Sequence, residues 1–192
     1  MRDWPEAYIL RHGQTVWNVA QRLQGGRDSP LTDLGRDQAL RQRAILQKVD
    51  LTGFRAHSSP QGRAFVTAAL ALDGLIGRIR TDDRLREIGV GDFEARLRQD
   101  LPGGQAADAS EESALHLYDM APGGEGFAAL RARCESFLQD RSAPMLVVTH
   151  GMTSRMLRLV LTGQDESALD SIGGGQGVVY HVRRGRQHVL TA

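Results

Sequence analysis

The sequence predicts an α/β fold: a three-layer sandwich with a mixed, mostly parallel sheet, helices on both of its faces, and a small cap insertion. Three observations carry this. Short apolar runs of strand length alternate with segments of helical spacing. Two of those runs, Ala7-Tyr8-Ile9-Leu10 and Met145-Leu146-Val147-Val148-Thr149, read as buried strands. The last strand pattern is a hairpin, which adds antiparallel pairing at one side.

Ala7–Leu10 is the first strand, ended by Arg11-His12-Gly13. Thr32 to Val49 has helical spacing, with Thr32 suited to the N-cap. Phe54–Ser58 is a weaker strand, followed by Ser59-Pro60 and a helix through Leu72, with Pro60 suited to its first turn. Arg78–Thr81 is a further short strand. Pro102-Gly103-Gly104 and Pro122-Gly123-Gly124 bracket a segment with room for one helix, about Ser110 to Asp119. That segment is read either as a surface loop or as a cap over a site at the sheet edge. The strand at 145–149 leads into a helix from about Thr153 to Leu161, closed by Gly163. Val178–Val182 and Gln187–Leu190 flank Arg183-Arg184-Gly185-Arg186 as the hairpin. The expectation is a single domain over 1–192, with the cap at about 94–126.

Composition narrows the function classes. The 192 residues are 41% hydrophobic and 24% charged, ordinary for a folded globular domain. Twenty-four Lys and Arg stand against 23 Asp and Glu, a net charge of +1 without the basic excess of a nucleic-acid binder. Cys134 is the one cysteine, which precludes an intrachain disulfide and a cysteine-based zinc cluster. The acidic start has no apolar signal core, and no run reaches the 18 apolar residues of a membrane span. The expected setting is cytoplasmic, with no membrane and no nucleic-acid partner. Oligomeric state is open, a homodimer included.

In open α/β sheets ligands bind beyond the carboxyl ends of the strands. Three strand ends here carry suitable chemistry: Arg11-His12-Gly13, Ser58-Ser59-Pro60 with Arg63 a turn further on, and His150-Gly151. Two histidines and two arginines converging on one pocket suit a phosphate. Guanidinium forks match phosphate oxygens, and imidazole can donate a hydrogen bond or attack phosphorus. Taken singly each is a weak signal, because a lone histidine at a strand end is more often a structural residue.

Five ordered blocks carry a resemblance. They are Arg11-His12-Gly13-Gln14-Thr15-Val16-Trp17-Asn18; Gln24-Gly25 with Ser29 through Gly35 and Gln38-Ala39; Ser58 through Ala64 with Thr67-Ala68; Leu85 through Glu94; and Val148-Thr149-His150-Gly151. Together they resemble the histidine phosphatase superfamily, the phosphoglycerate-mutase-like proteins. Phe93 stands where that family usually has Trp, Ala95 where Gly commonly follows Glu, and Gly126 where a Gly-Glu-Ser element would place Ser.

The resemblance implies that His12 is the nucleophile and carries the phosphoryl group. Arg11, Arg63 and His150 would grip the phosphate oxygens, with Asn18, Gln24, Gly25 and Gly151 as further substrate contacts. Glu87 would be the general acid and then the base, because a carboxyl facing a bound dianion is favoured in its protonated form. No cofactor and no metal are implied. The expected partner is a small phosphorylated metabolite.

Other motifs lead elsewhere. Arg141 lies seven positions after Cys134, one too many for a Cys-x5-Arg phosphatase loop, and the surrounding residues read as an amphipathic helix with a packed thiol. Gly173-Gly174-Gly175-Gln176-Gly177 lacks the Gly-x-Gly-x-x-Gly pattern and precedes a strand, so it reads as a loop. His57, His116 and Tyr118 are weaker candidates for substrate contact, while His181 and His188 read as ordinary strand or surface residues. The rival readings are a metallohydrolase, for which no H-x-H or H-E-x-x-H appears, a phosphoglycerate-type mutase, and a non-catalytic phospho-ligand module on the same fold. Hydrolysis is expected over mutase activity, because only 30 residues, Ala95 to Gly124, are available to cover the pocket. The short tail after the last strand offers no lid either.

Overall fold

The computed structural model describes residues 4–104 and 115–192. In chain order the elements are β1 (Ala7–Arg11), α1 (Val16–Val19), α2 (Asp33–Leu46), β2 (Arg55–Ser58), α3 (Gly62–Leu72) and β3 (Ile79–Thr81), then α4 (His116–Asp119), α5 (Gly126–Gln139), β4 (Met145–Thr149), α6 (Gly151–Thr162), β5 (Val179–Arg183) and β6 (Arg186–Leu190). The six strands form one sheet in the order β3-β2-β4-β1-β5-β6. The first four are mutually parallel; β5 runs antiparallel to β1, and β6 antiparallel to β5. The chain moves outward from β1 to β2 and β3, then returns to insert β4 between β2 and β1.

All five residues of β1 and of β4 are buried. Their side chains alternate between two apolar layers, as the period of a strand requires. Tyr8, Leu10, Leu146 and Val148 pack with Ile45, Leu46, Ala68 and Leu72 of α2 and α3. Ala7, Ile9, Met145 and Val147 pack on the other face with Leu130, Cys134 and Phe137 of α5 and Met156, Leu157 and Val160 of α6. The mixed sheet with helices on both faces is therefore the observed architecture.

Boundaries differ locally, each for a visible reason. Thr32 caps α2 by accepting from the Gly35 amide, but the helix ends at Leu46. Pro60 lies just ahead of α3, whose N-cap is Gln61. Helix α6 starts at Gly151, so a single residue, His150, separates it from β4. Gly163, at φ 72°, closes it. Of the helix expected at Ser110–Asp119, His116–Asp119 is helical and most of the remainder lies outside the described residues. Helix α1 is not legible from periodicity; a capping box between Thr15 and Asn18 makes it. Among the described residues, no helix is long and apolar enough to cross a membrane.

Two glycines fix how β1 leaves the sheet. A Cβ at Gly13 would stand 2.0 Å from the Gly35 carbonyl oxygen, and one at Gly35 would stand 2.1 Å from that of Gln14. The backbones of the β1 exit and the α2 start touch there, which no side chain permits.

Ala95, where the family that the sequence resembles commonly has glycine, sits at φ 64°. Its amide donates to Leu23 O, and its carbonyl accepts from Arg22, so the strained conformation is held from both sides. Left-handed backbone costs a residue with a Cβ roughly 1 kcal/mol. Ala95→Gly is therefore expected to stabilise the protein by up to about 1 kcal/mol, less what the freer unfolded chain takes back. Urea unfolding midpoints check this, and a clear destabilisation would contradict it.

Candidate active site

Strand register builds the site. Arg11 is level with Thr149 across β1 and β4, and Ser58 is level with Val148 across β2 and β4. The ladder runs one step further on each side: the His12 amide donates to Thr149 O and the Ser59 amide to Val148 O, each at 2.9 Å. His12, His150 and Ser59 therefore leave neighbouring strands side by side at the carboxyl edge. All three are buried.

Hydrogen bonds set the protonation pattern of the histidines. His12 Nδ1 lies 2.7 Å from the Gly13 carbonyl oxygen, which can only accept. Nδ1 therefore carries the proton, and the ring lone pair is on Nε2. His150 Nε2 is 2.7 Å from Ser59 Oγ, which also accepts from the Gln61 amide at 3.2 Å. The hydroxyl proton is best used toward Nε2, which puts the imidazole proton on Nδ1. The His12 and His150 rings meet edge-on, 5.2 Å between centroids. Burial, then the Arg63 charge, holds His150 well below the ordinary histidine range. It is neutral in this state.

Arg63, in the first turn of α3, is wrapped by the turn after Gly25. Nη1 donates to Arg27 O at 2.6 Å and to Asp28 Oδ1 at 3.0 Å, and Nη2 donates to Gly25 O at 3.1 Å. Asp28 also accepts from the Arg63 amide and so caps a helix whose own N-cap residue, Gln61, makes no side-chain capping bond to it. A Cβ at Gly62 would strike Asp28 Oδ2 at 2.3 Å, so the glycine makes room for that carboxylate. Burial pulls the Arg63 guanidinium down from its ordinary value, and the charges of Glu87 and Asp28 oppose that pull. Among the described residues, Arg63 Nε and His150 Nδ1 are both buried without a hydrogen-bond partner. Orphaned buried donors of this kind are what a bound anion satisfies.

Arg11 Nη1 donates to Gly174 O at 2.8 Å. Gly151 lies against that guanidinium: a Cβ there would meet Arg11 Cζ at 3.4 Å, an ordinary contact. Glu87 lies over the start of α6: Oε2 accepts from the Met152 amide at 3.2 Å, and Oε1 accepts from the Thr153 and Ile88 amides. Gln61 ties this loop to the Gly25 turn, accepting from the Glu87 amide at 2.7 Å and donating to Gly25 O at 2.8 Å. All five principal residues expected from the sequence, Arg11, His12, Arg63, Glu87 and His150, thus belong to one assembly at the sheet edge.

The outer residues are placed less directly. Asn18 Oδ1 caps α1, and Gln24 donates to Thr15 Oγ1 at 2.9 Å. Tyr118 Oη accepts from Arg98 at 3.3 Å. His57 is not a site residue: it lies buried in β2, edge-on to Phe137 at 5.5 Å. Burial and then Arg141 push its pKa down to about 4. The Cys134 thiol is fully buried and pushed up to about 12, which leaves it no nucleophilic role. Among the described residues, no cluster of three or more His, Cys, Asp or Glu could hold a metal. Pattern reading assigns no role to Ser59, Gln61 or Asp28, which act on His150, Glu87 and Arg63. The block Ser58 through Ala64 contains the first two, but nothing in the sequence gives their partners.

A family model described as "Histidine phosphatase superfamily (branch 1)" matches residues 7–191. Phosphoglycerate mutase-like protein 4 of Arabidopsis thaliana is 33% identical over 166 residues, covering 81% of this chain and 70% of that protein. The alpha-ribazole phosphatase from Shigella flexneri superposes with a TM-score of 0.77 at 28% identity, over 97% of this chain and 96% of that one. A phosphoglycerate mutase from Thermus thermophilus superposes with a TM-score of 0.72 at 33% identity, over 97% and 98%.

The two depressed histidines carry a stability consequence. Both are neutral in the folded protein, while in the unfolded chain each titrates near 6.5. Below that value the unfolded form takes up protons that the folded form refuses, so stability falls as pH falls. The expected loss runs from about pH 6.5 down to about 4 for His57, at up to about 1.4 kcal/mol per pH unit for each group. Urea unfolding between pH 7.5 and 5 measures it. His57→Gln should flatten part of the slope, and a wild-type profile without slope would contradict the assignment.

Proposed function

The chain belongs to the histidine phosphatase superfamily, and from that membership we propose that it hydrolyses small phosphomonoesters through a phosphohistidine on His12. The observation that carries the reading is the His12 Nδ1 bond to Gly13 O, which leaves the ring lone pair on Nε2. In the first step that pair forms a bond to phosphorus, the ester P–O bond breaks, and the leaving oxygen takes a proton from Glu87. In the second, water bonds to phosphorus and gives a proton back to Glu87, while the N–P bond breaks and phosphate departs. Arg11, Arg63 and His150 Nδ1 hold the non-bridging oxygens, where charge gathers in a loose transition state. Asn18, Gln24, Gly25 and Gly151 are assigned the surrounding substrate contacts.

Hydrolysis is preferred over phosphoryl return to the substrate because the stretch between Glu94 and Glu125 is short. The fold matches an alpha-ribazole phosphatase and a phosphoglycerate mutase alike along nearly the whole length. Chain length itself does not separate the activities, since the Thermus mutase is covered to 98% by this chain.

Purified enzyme is expected to release phosphate from small phosphomonoesters and to trap acid-labile phosphate on His12. His12→Ala should abolish both without loss of fold. Label on a serine or cysteine would overturn the mechanism. Interconversion of 2- and 3-phosphoglycerate about a hundredfold faster than phosphate release would assign a mutase instead. Glu87→Gln is expected to slow alkyl phosphates at least about tenfold more than aryl phosphates, whose leaving groups need little protonation. Equal losses for the two substrate types would remove Glu87 as the acid.

A further inference from the structure

The glycine-rich stretch 173–177 matches no nucleotide motif, and the proposed chemistry gives it no role. In the structure it joins α6 to β5, and three arginines grip three successive carbonyls at its start. Arg155 Nε donates to Ile172 O at 2.8 Å, Arg158 Nη2 to Gly173 O at 2.6 Å, and Arg11 Nη1 to Gly174 O at 2.8 Å. A little further on, Gln176 Nε2 donates to the His12 carbonyl at 3.0 Å. One short loop thus bonds to both members of the Arg11-His12 pair, to the guanidinium of one and the backbone of the other.

The loop cannot hold this shape by itself. Glycines at 173, 174, 175 and 177 give it maximal freedom in the unfolded chain and no side chains to pack. The glycines are also what lets the arginines in: a Cβ at Gly174 would lie 2.3 Å from the Arg155 guanidinium. Arg155 and Arg158 lie one turn apart in α6 and are 1% and 0% exposed. Arg158 stacks on Tyr180, 3.8 Å from the ring centroid. It donates also to Ser154 O and to Gln187 Oε1, and it makes no ion pair among the described residues. A buried guanidinium anchored on carbonyls is a costly way to hold a loop unless the loop's position matters.

We infer that Arg158, with Arg155, is a positioning residue for phosphate binding, which acts through the 172–176 loop to orient Arg11 and to fix the His12 backbone. This rests on the reading of Arg11 and His12 as phosphate-handling residues, and it adds residues that do not touch the substrate. Its signature is dependence on Arg11. A side chain that merely stabilises the fold weakens anion binding equally whether Arg11 is present or not.

The test is a double-mutant cycle read by calorimetric binding of orthovanadate, which requires no turnover. Arg158→Met keeps the length and apolar body of the side chain and removes its donors. It is expected to weaken vanadate binding about tenfold in the wild-type background and less than about twofold in the Arg11→Ala background. Arg158→Lys, which keeps a cationic donor, should recover part of the loss. Equal losses in both backgrounds, or none in the wild type, overturn the inference. If Arg158→Met does not fold, Gln176→Ala at a half-buried loop position serves. Several-fold weaker binding at an unchanged melting temperature is expected, and unchanged binding overturns the role of the loop. Vanadate affinity indifferent to Arg11→Ala alone would instead remove the phosphate reading of Arg11, and the inference with it.

Discussion

The site depends on the placement of β4 between β1 and β2, in a register that brings three strand ends within one residue of each other. Once Arg11 is opposite Thr149 and Ser58 opposite Val148, the next residue of each strand has little choice of position. His150 becomes the middle member, with His12 on one side and Ser59 on the other. Both contacts of its ring, the edge to His12 and the bond to Ser59, follow from that order. Because β4 is wholly buried, a slip of one residue would turn its apolar set from one layer to the other, so core packing and site geometry are set by the same register.

Several supporting contacts then hold the catalytic loops against this edge. Thr149 Oγ1 donates to Leu85 O, and Thr153 Oγ1 donates to Arg86 O, which hangs the Glu87 loop on the end of β4 and the start of α6. Glu125 holds the same loop from the other side: it accepts from the Gly89 amide and pairs with Arg133, which also reaches Arg84 O. The Gly-Glu element of the sequence therefore braces the loop even with Gly126 in place of serine. Gly126 adopts φ 73°, a conformation serine would resist.

Much of this is legible in the sequence, and the division has a physical cause. Strands buried on both faces are continuous apolar runs, and a histidine or arginine that ends such a run is conspicuous; hence Arg11, His12 and His150. Arg63 alone reads as an ordinary solvated residue of a first helical turn and gains weight only from its place beyond a strand end beside the other two. Glu87 needs the family resemblance, since a glutamate in a loop is ordinarily solvated. Arg155 and Arg158 carry no motif, although two cations inside Met152–Leu161 are a visible anomaly in an otherwise mostly apolar helix. Their meaning depends on the carbonyls of Ile172 and Gly173, 17 and 15 residues away, and no periodicity encodes such pairings. Helix α1 is hidden for a related reason: four residues are too few for an apolar stripe, and its cap supplies what burial supplies elsewhere.

What the arginines are tied to decides how much charge they keep for a ligand. A carboxylate orients a guanidinium but cancels most of its field, whereas a carbonyl orients it and leaves the net charge intact. Arg158 is held by carbonyls, an amide oxygen and an aromatic face. Arg63 has two carbonyl anchors and one carboxylate, Asp28, whose side chain is 41% exposed and shared with the start of α3. Solvent on one side and a second donor on the other weaken its hold on the Arg63 charge. Hydrogen bonds from charged donors are worth about 1.5–3 kcal/mol each, enough to fix these side chains without ion pairing. The interior thus gains orientation without neutrality, and the remaining positive field, together with the orphaned donors of Arg63 and His150, is left for an anion to satisfy.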